Sequence, residues 1–547
     1  MKKILTLLLL ILTPLLITAC SNEETESNTP ISDELTTYEG ANYLFDNTTN
    51  ENGTVCYEIF VRSFYDTNGD GIGDFNGITA QLPYLYDLGI KTLWLMPIMP
   101  SPTYHGYDVI DYYDVNPDYG TMEDFDNLLE ESKKYNIEIM IDIVFNHSST
   151  EISWFKDSYN DYVNNNTSED SKADWYCWSK EAQKGYSAYK NSGIYYEARF
   201  DRSMPDINTK NPKIREEMVN ILKYWVNKGV DGFRFDAVKF FDYEHTVYNV
   251  EFMSYLHDEI VKDYPNIYFV GECWDSYDVI NNYYKSTFES FFTFGSSLAY
   301  SGDATIVGQV KGFRLASAFA AEIEQREKNM KANNSNAYSS YFLSNHDMDR
   351  SSKNFTGDYA KLAASLYLLL PGTPYIYYGE EIGLMGVRKT NPDDATDARR
   401  RLPMIWSEND KIGECDFPEA HRTDIMDNKQ VSLGAYDQMN TNYSLYNHYK
   451  KVIQIRNKYS FIKDSIFVNL MPQISTEFDN VLVYELVYQN QSIIVVHNFE
   501  QENADVDLSK LGSLEIDAEV SVAKINPKLV GNTLRIGKYS TVILIRK

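Results

Sequence analysis

Cysteine is scarce in this chain: five residues in 547. Cys56, Cys177, Cys273 and Cys415 are widely scattered, and no CxxC pair occurs, which argues against a zinc site. Spacing does not choose between a disulfide and free buried thiols for these four. Positive charge is also short. Lys and Arg total 50 against 79 Asp and Glu, a net charge of −29, which excludes a nucleic-acid partner bound through basic surface. After the first seventeen residues no segment is long and apolar enough to span a bilayer. What is abundant is aromatic surface: 14% of residues, more than half of it from 44 tyrosines. Such rings serve as core, interface or sugar-stacking surface alike.

The N-terminus has a processing pattern. Lys2 and Lys3 precede an apolar run from Ile4 to Ile17, then Thr18, Ala19 and Cys20. A cysteine directly after a small residue resembles a bacterial lipoprotein signal, which implies that residues 1–20 are a signal peptide and that Cys20 is lipidated. Residues 21–53 begin with a polar, acidic stretch and read as a flexible tether. The mature protein is therefore expected outside the cytoplasmic membrane, lipid-anchored to the cell envelope, surface-facing and monomeric.

Beyond the tether, short apolar strands alternate with amphipathic helices. VCYEIFV, KTLWLMPI, IEIMIDIVFNH, VDGFRFDAV, NIYFVGE, AYSSYFLSNHD and TPYIYYGEE are the strand-like runs. Repeated β–α units predict a parallel sheet, and seven or eight strands over this length predict a closed (β/α)₈ barrel in two parts, 54–147 and 211–460. Between them, residues 148–210 break the rhythm with an irregular stretch rich in Tyr, Asn, Ser and Trp, read as an inserted subdomain. From 461 to 547 the runs VLVYELVYQ, SIIVVHNF and STVILIRK predict an antiparallel β domain.

Barrel chemistry gathers where strands end. Asp236, Glu272 and Asp347 stand there, with His147, Arg234 and His346. One acid at a strand end is as readily a helix cap as a catalyst. Six such groups at successive strand ends are not so easily set aside. Upstream, DTNGDGIGD (66–74) sets oxygen-bearing side chains at near-alternate positions. Its opening has EF-hand spacing, but position twelve is Gly77 rather than a bidentate Glu. A solvated Asx turn is the plainer alternative.

The stretches IDIVFNH (141–147), MPDIN (204–208), GFRFDAV (232–238), GECW (271–274) and SNHD (344–347) resemble the α-amylase family of glycoside hydrolases, as do HGYDVIDYYDVNPDYGT (105–121) and IYYGEEIGL (376–384). The resemblance implies a TIM barrel with a subdomain after the third strand and a C-terminal antiparallel β domain. It implies Asp236 as nucleophile, Glu272 as general acid and base with a raised pKa, and Asp347 as holder of the distorted sugar's hydroxyls. His105, His147 and His346 would hydrogen-bond that sugar, Tyr107 would stack beneath it, and Arg234 would pair with Asp236.

By the same resemblance, Asp66, Asn68, Asp70 and Asp74 with the Ile72 carbonyl would hold one structural calcium. A second calcium is not assigned, although Asn146 and Asp206 match two of its positions, because Phe240 stands where its histidine would be. Ala237 after the nucleophile favours α-1,4 linkages, so starch and maltooligosaccharides are the expected substrates. MPDIN is intermediate between the α-amylase and oligoglucosidase patterns. RLPMIW (401–406) resembles an oligoglucosidase motif with Ile405 in place of the usual Gln, which keeps an exo-acting α-glucosidase or a 4-α-glucanotransferase in view. The outlying alternative is a non-catalytic glucan-binding lipoprotein.

Overall fold

The computed structural model describes residues 35–37, 50, 53–294, 304–388, 397–407, 411–418, 431 and 433–547. The signal segment and Cys20 lie outside the described residues. Among those described, no helix is long and apolar enough to cross a membrane. Within the expected tether, Thr37 pairs with Ile525 of the C-terminal domain, and the buried Asn50 amide donates to the Ile90 and Tyr135 carbonyls.

Eight parallel strands form the barrel: β1 (Cys56–Ile59), β2 (Thr92–Leu95), β3 (Glu138–Ile143), β4 (Gly232–Phe235), β5 (Tyr268–Gly271), β6 (Ser290–Phe292), β7 (Tyr338–Ser340) and β8 (Tyr375–Tyr377). β1 pairs with both β2 and β8, and a single bridge from Phe342 to Tyr375 joins β7 to β8. Seven of these strands fall inside the runs read from sequence. β6 does not. Three residues within KSTFESFFTF are too few to show a period.

The flanking helices follow their boundary signals. Asp74 caps helix Phe75–Leu88 by accepting from Gly77 N at 2.7 Å, and Gly89 ends it at φ 93°, the left-handed geometry that favours glycine. Thr121 and Asp124 form a reciprocal capping box on helix Met122–Lys134.

The segment between β3 and β4 is less irregular than expected. It holds helix Ser153–Val163 and a three-stranded antiparallel sheet. Its aromatic richness makes a small core, in which Phe155 stacks on Trp178 at 5.0 Å and packs edge-on against Tyr176 and Tyr196.

From Ile466 onward, a five-stranded and a four-stranded antiparallel sheet face each other. In strand Val481–Tyr488, Val481 and Val483 pack between these sheets, while Leu482, Tyr484 and Leu486 join the barrel core. Burial on both faces explains why this strand reads as an almost unbroken apolar run.

Candidate active site

Local geometry brings the acids together. Asp142 and Arg234 are register partners on β3 and β4, and Asp236 lies two residues beyond Arg234. One guanidinium nitrogen, Arg234 Nη1, donates to Asp142 Oδ1 at 2.8 Å and to Asp236 Oδ1 at 2.8 Å. The other, Nη2, lies 3.2 Å from Glu272 Oε2. The chain then turns sharply. Ala237 takes φ 47°, a strained value for a residue with a Cβ, and its N–H donates to Glu272 Oε2 at 3.0 Å. Nucleophile candidate and acid candidate are thus tied to one cation and one turn.

Asp236, Glu272 and Asp347 line one cleft of about 530 Å³ together with His105, Tyr107 and His147. Arg234 and His346 do not line it. Both are fully buried behind the acids. Its Nδ1 faces the Glu58 carboxylate, and its Nε2 meets Tyr107 Oη at 2.6 Å and Asp347 Oδ2 at 3.1 Å. Tyr107 presents part of its ring to the cleft while its hydroxyl donates to Asp142 Oδ2 at 3.0 Å.

The cleft histidines are set up as neutral donors. Tyr107 N–H donates to His105 Nδ1 at 3.2 Å, which leaves Nε2 as the protonated nitrogen. Burial, reinforced by Arg401, lowers His105 to about 4. Burial likewise lowers His147, whose buried Nε2 has no hydrogen-bond partner within the protein. A substrate hydroxyl would satisfy it.

Electrostatics separate the carboxyls. Burial raises Glu272 to about 7, with Arg234 opposing and Asp236 adding to the rise. Burial also pushes Asp347 upward, but His346 and Arg401 overcome it and hold this carboxyl well below the usual range. One acid able to keep its proton beside another held ionised is the pattern of acid–base catalysis.

Several contributors went unnoticed in the sequence. Arg401 donates to Asp347 Oδ1 at 2.8 Å. Glu58, Asp142, Phe200, Lys239 and Trp274 also build the site or its rim. Asp142 and Arg401 sit inside the quoted stretches IDIVFNH and RLPMIW, so the motifs held the signal. Phe200, 48% exposed, leans on both His147 and Phe240 from the inserted subdomain.

The model of the Alpha-amylase family (alpha amylase, catalytic domain) matches residues 58–465. The chain belongs to the α-amylase family of glycoside hydrolases. It is 37% identical over 495 residues to "Alpha-amylase 3" of Dictyoglomus thermophilum, covering 90% of this chain and 92% of that one. It is 28% identical to "Oligo-1,6-glucosidase" of Bacillus cereus, covering 83% and 92% respectively. Among solved structures, Eubacterium rectale Amy13B superimposes with a TM-score of 0.83 at 34% identity, covering 92% of this chain and 97% of its own. The alpha-amylase from H.orenii does so with 0.76 at 31% identity, covering 91% and 100%. This α-amylase-family glycosidase takes the family's α-glucan class of substrate.

The 66–74 loop lies after β1, away from the cleft. Asp66 accepts from the backbone N–H of Asn68, Gly69 and Gly71, Asn68 from Asp70, and Asp70 from Ile72. Asp74 accepts from Thr67 and Gly77. Asp416 sets a further carboxylate against the loop, 2.5 Å from where a Cβ on Gly71 would stand. Among the described residues no group of three or more His, Cys, Asp or Glu converges as a metal centre. The donor atoms are all oxygen, a set whose chemistry suits calcium.

Proposed function

We propose that the protein is a retaining α-amylase that hydrolyses α-1,4-glucosidic bonds of starch and maltooligosaccharides. The observation that carries this reading is the shared guanidinium: Asp236 and Glu272 engage neighbouring nitrogens of Arg234 at 2.8 and 3.2 Å. Two carboxyls held by one guanidinium, together with the likeness to the α-amylase family, favour direct nucleophilic attack by Asp236 over attack by an intervening water. Asp236 attacks the anomeric carbon as Glu272 gives its proton to the departing glycosidic oxygen. The Glu272 carboxylate then takes a proton from water, which attacks the same carbon and frees Asp236, so the α configuration returns. Asp347, held by Arg401 and His346, receives the sugar hydroxyls. Ala237 and the likeness to proteins named alpha-amylase favour α-1,4 linkages.

The test is ¹H NMR of the anomeric signals during the first minutes on maltoheptaose and soluble starch. Early α-anomers among several oligosaccharide sizes support the proposal. Early β-anomers, or no hydrolysis, defeat it. The likeness to proteins named oligo-1,6-glucosidase and maltase supports a second reading, an exo-acting α-glucosidase or a transferase. Glucose as sole early product, or chain lengthening when maltose is added, would favour that reading.

We also propose that Asp66, Asn68, Asp70, Asp74 and the Ile72 carbonyl hold one structural calcium, supported by their all-oxygen chemistry. The Lys2–Cys20 pattern supports a lipid anchor at Cys20 and an extracytoplasmic, envelope-bound monomer. Metabolic palmitate labelling that disappears in Cys20→Ser fits the anchor; unchanged labelling refutes it.

A further inference from the structure

Glu58 has no part in the bond-breaking steps above. It stands on β1, 1% exposed, with its carboxylate against His346 Nδ1. At the opposite side of that ring, Nε2 faces the Tyr107 hydroxyl and Asp347 Oδ2. The Tyr107 O–H is donated to Asp142, so its oxygen can only accept from Nε2. Asp347 is likewise an acceptor. Nε2 therefore carries a hydrogen, and Nδ1 confronts a carboxylate as well. A neutral imidazole has only one N–H, and this environment calls for two.

We propose that Glu58 is a positioning residue that holds His346 as an imidazolium, and that this buried cation fixes Asp347 in place at the sugar-binding end of the cleft. The role rests on the glycosidase reading of the site. The charged and titratable groups around His346 are Glu58 from β1, Tyr107 from the loop after β2 and Asp142 from β3, the last paired in turn with Arg234 from β4. Arg401 donates to its carbonyl at 3.1 Å, and Asp347 is its chain neighbour. The Trp94 ring meets the imidazole edge-on at 5.7 Å and shields it from water. Burial opposes a charge here, but Asp347 and Glu58 outweigh it and raise the imidazole to about 10. The relay links two ends of the site that share no backbone: Glu58 opens the barrel, and Asp347 follows its seventh strand.

The deciding measurement is ¹⁵N NMR of full-length protein labelled at its eight histidines, with His346→Gln assigning the resonance. The proposal expects imidazolium shifts for His346 in the wild type, unchanged from pH 5.5 to 8.5. In Glu58→Gln the ring should lose a proton inside that range. Maltooligosaccharide kcat should then fall with rising pH about tenfold further than in wild type, with KM moved less. Glu58→Asp should restore much of the wild-type profile. A neutral His346 in the wild type, which would place the proton on Glu58, overturns the proposal. So does a Glu58→Gln profile that superimposes on wild type. If Glu58→Gln does not fold, the wild-type spectrum and Glu58→Asp still decide. The spectrum needs no substrate, so failure of the hydrolase assignment would be seen separately in the product analysis.

Discussion

Arg401 Nη2 lies 2.8 Å from Asp347 Oδ1, while its Nε donates to the backbone carbonyl of His346. One guanidinium therefore fixes both the carboxylate and the main chain that presents it. Arg401 lies beyond β8 and has no sequence proximity to the SNHD loop. Replacing it with glutamine should leave Asp347 with His346 as its remaining cationic neighbour of the pair. We expect kcat/KM on maltooligosaccharides to fall by roughly 10²-fold, the scale of a lost charge-assisted contact in a desolvated site. A variant within twofold of wild type would remove Arg401 from the working site.

As the proposed general acid, Glu272 should set an alkaline limit on activity. In that role it must begin each cycle protonated, and burial holds its proton up to about pH 7. The rate, measured as kcat/KM, should therefore decline as pH rises through that value, with unit slope. Glu272→Gln cannot titrate, so the limb should vanish while activity on starch drops about 10²- to 10⁴-fold. α-Glucosyl fluoride, which leaves with little need of a proton, should lose far less in the first step. An alkaline limb that persists in Glu272→Gln would assign the acid elsewhere.

The acids were legible because Asp236 and Glu272 directly follow strands, Asp347 follows the loop after the seventh, and each lies in a short motif, so local order carried them. Asp142 and Arg234 sit in the same motifs, but their pairing depends on the register of β3 against β4, which no single run displays. Glu58 in VCYEIFV reads as strand interior; only closure of the barrel brings it to His346. The tyrosine-rich insert reads as irregular because its core comes from rings far apart in sequence, such as Phe155 and Trp178. Strand β6 is too short for any pattern to accumulate.

Calcium should act on stability rather than on chemistry, because the 66–74 loop borders helix Phe75–Leu88 and not the acids. A ligand that binds only the folded state stabilises by about 2.7 kcal/mol at a hundredfold excess over Kd. Chelation should lower the melting temperature, and calcium should restore it. Asp70→Ala should remove most of that response, since one charged oxygen donor is lost, while kcat changes little. A wild-type melting temperature indifferent to both chelator and calcium would defeat the site.

Glu380 supplies a pH dependence separate from catalysis. It is buried behind β8 and accepts from Tyr367 at 2.9 Å, Tyr449 at 3.0 Å and Ser344 at 3.3 Å. Burial raises it to about 7; the tyrosines oppose the rise and neighbouring Glu381 adds to it. A carboxyl raised in the folded state binds its proton more tightly there than in the unfolded chain. Its stabilising contribution is full below the unfolded value, about 4.3, and is lost as pH climbs through 7. The loss is of order 3 kcal/mol for a fully buried group. Glu380→Gln keeps the shape and removes the titration, so the fall in unfolding free energy between pH 5 and 8 should be smaller than in wild type. Asp206, raised by burial to about 8, titrates in the same window and should leave part of the fall in place. Denaturant midpoints for both proteins at both pH values measure the difference directly. Equal falls in variant and wild type would mean that Glu380 carries the same charge folded and unfolded.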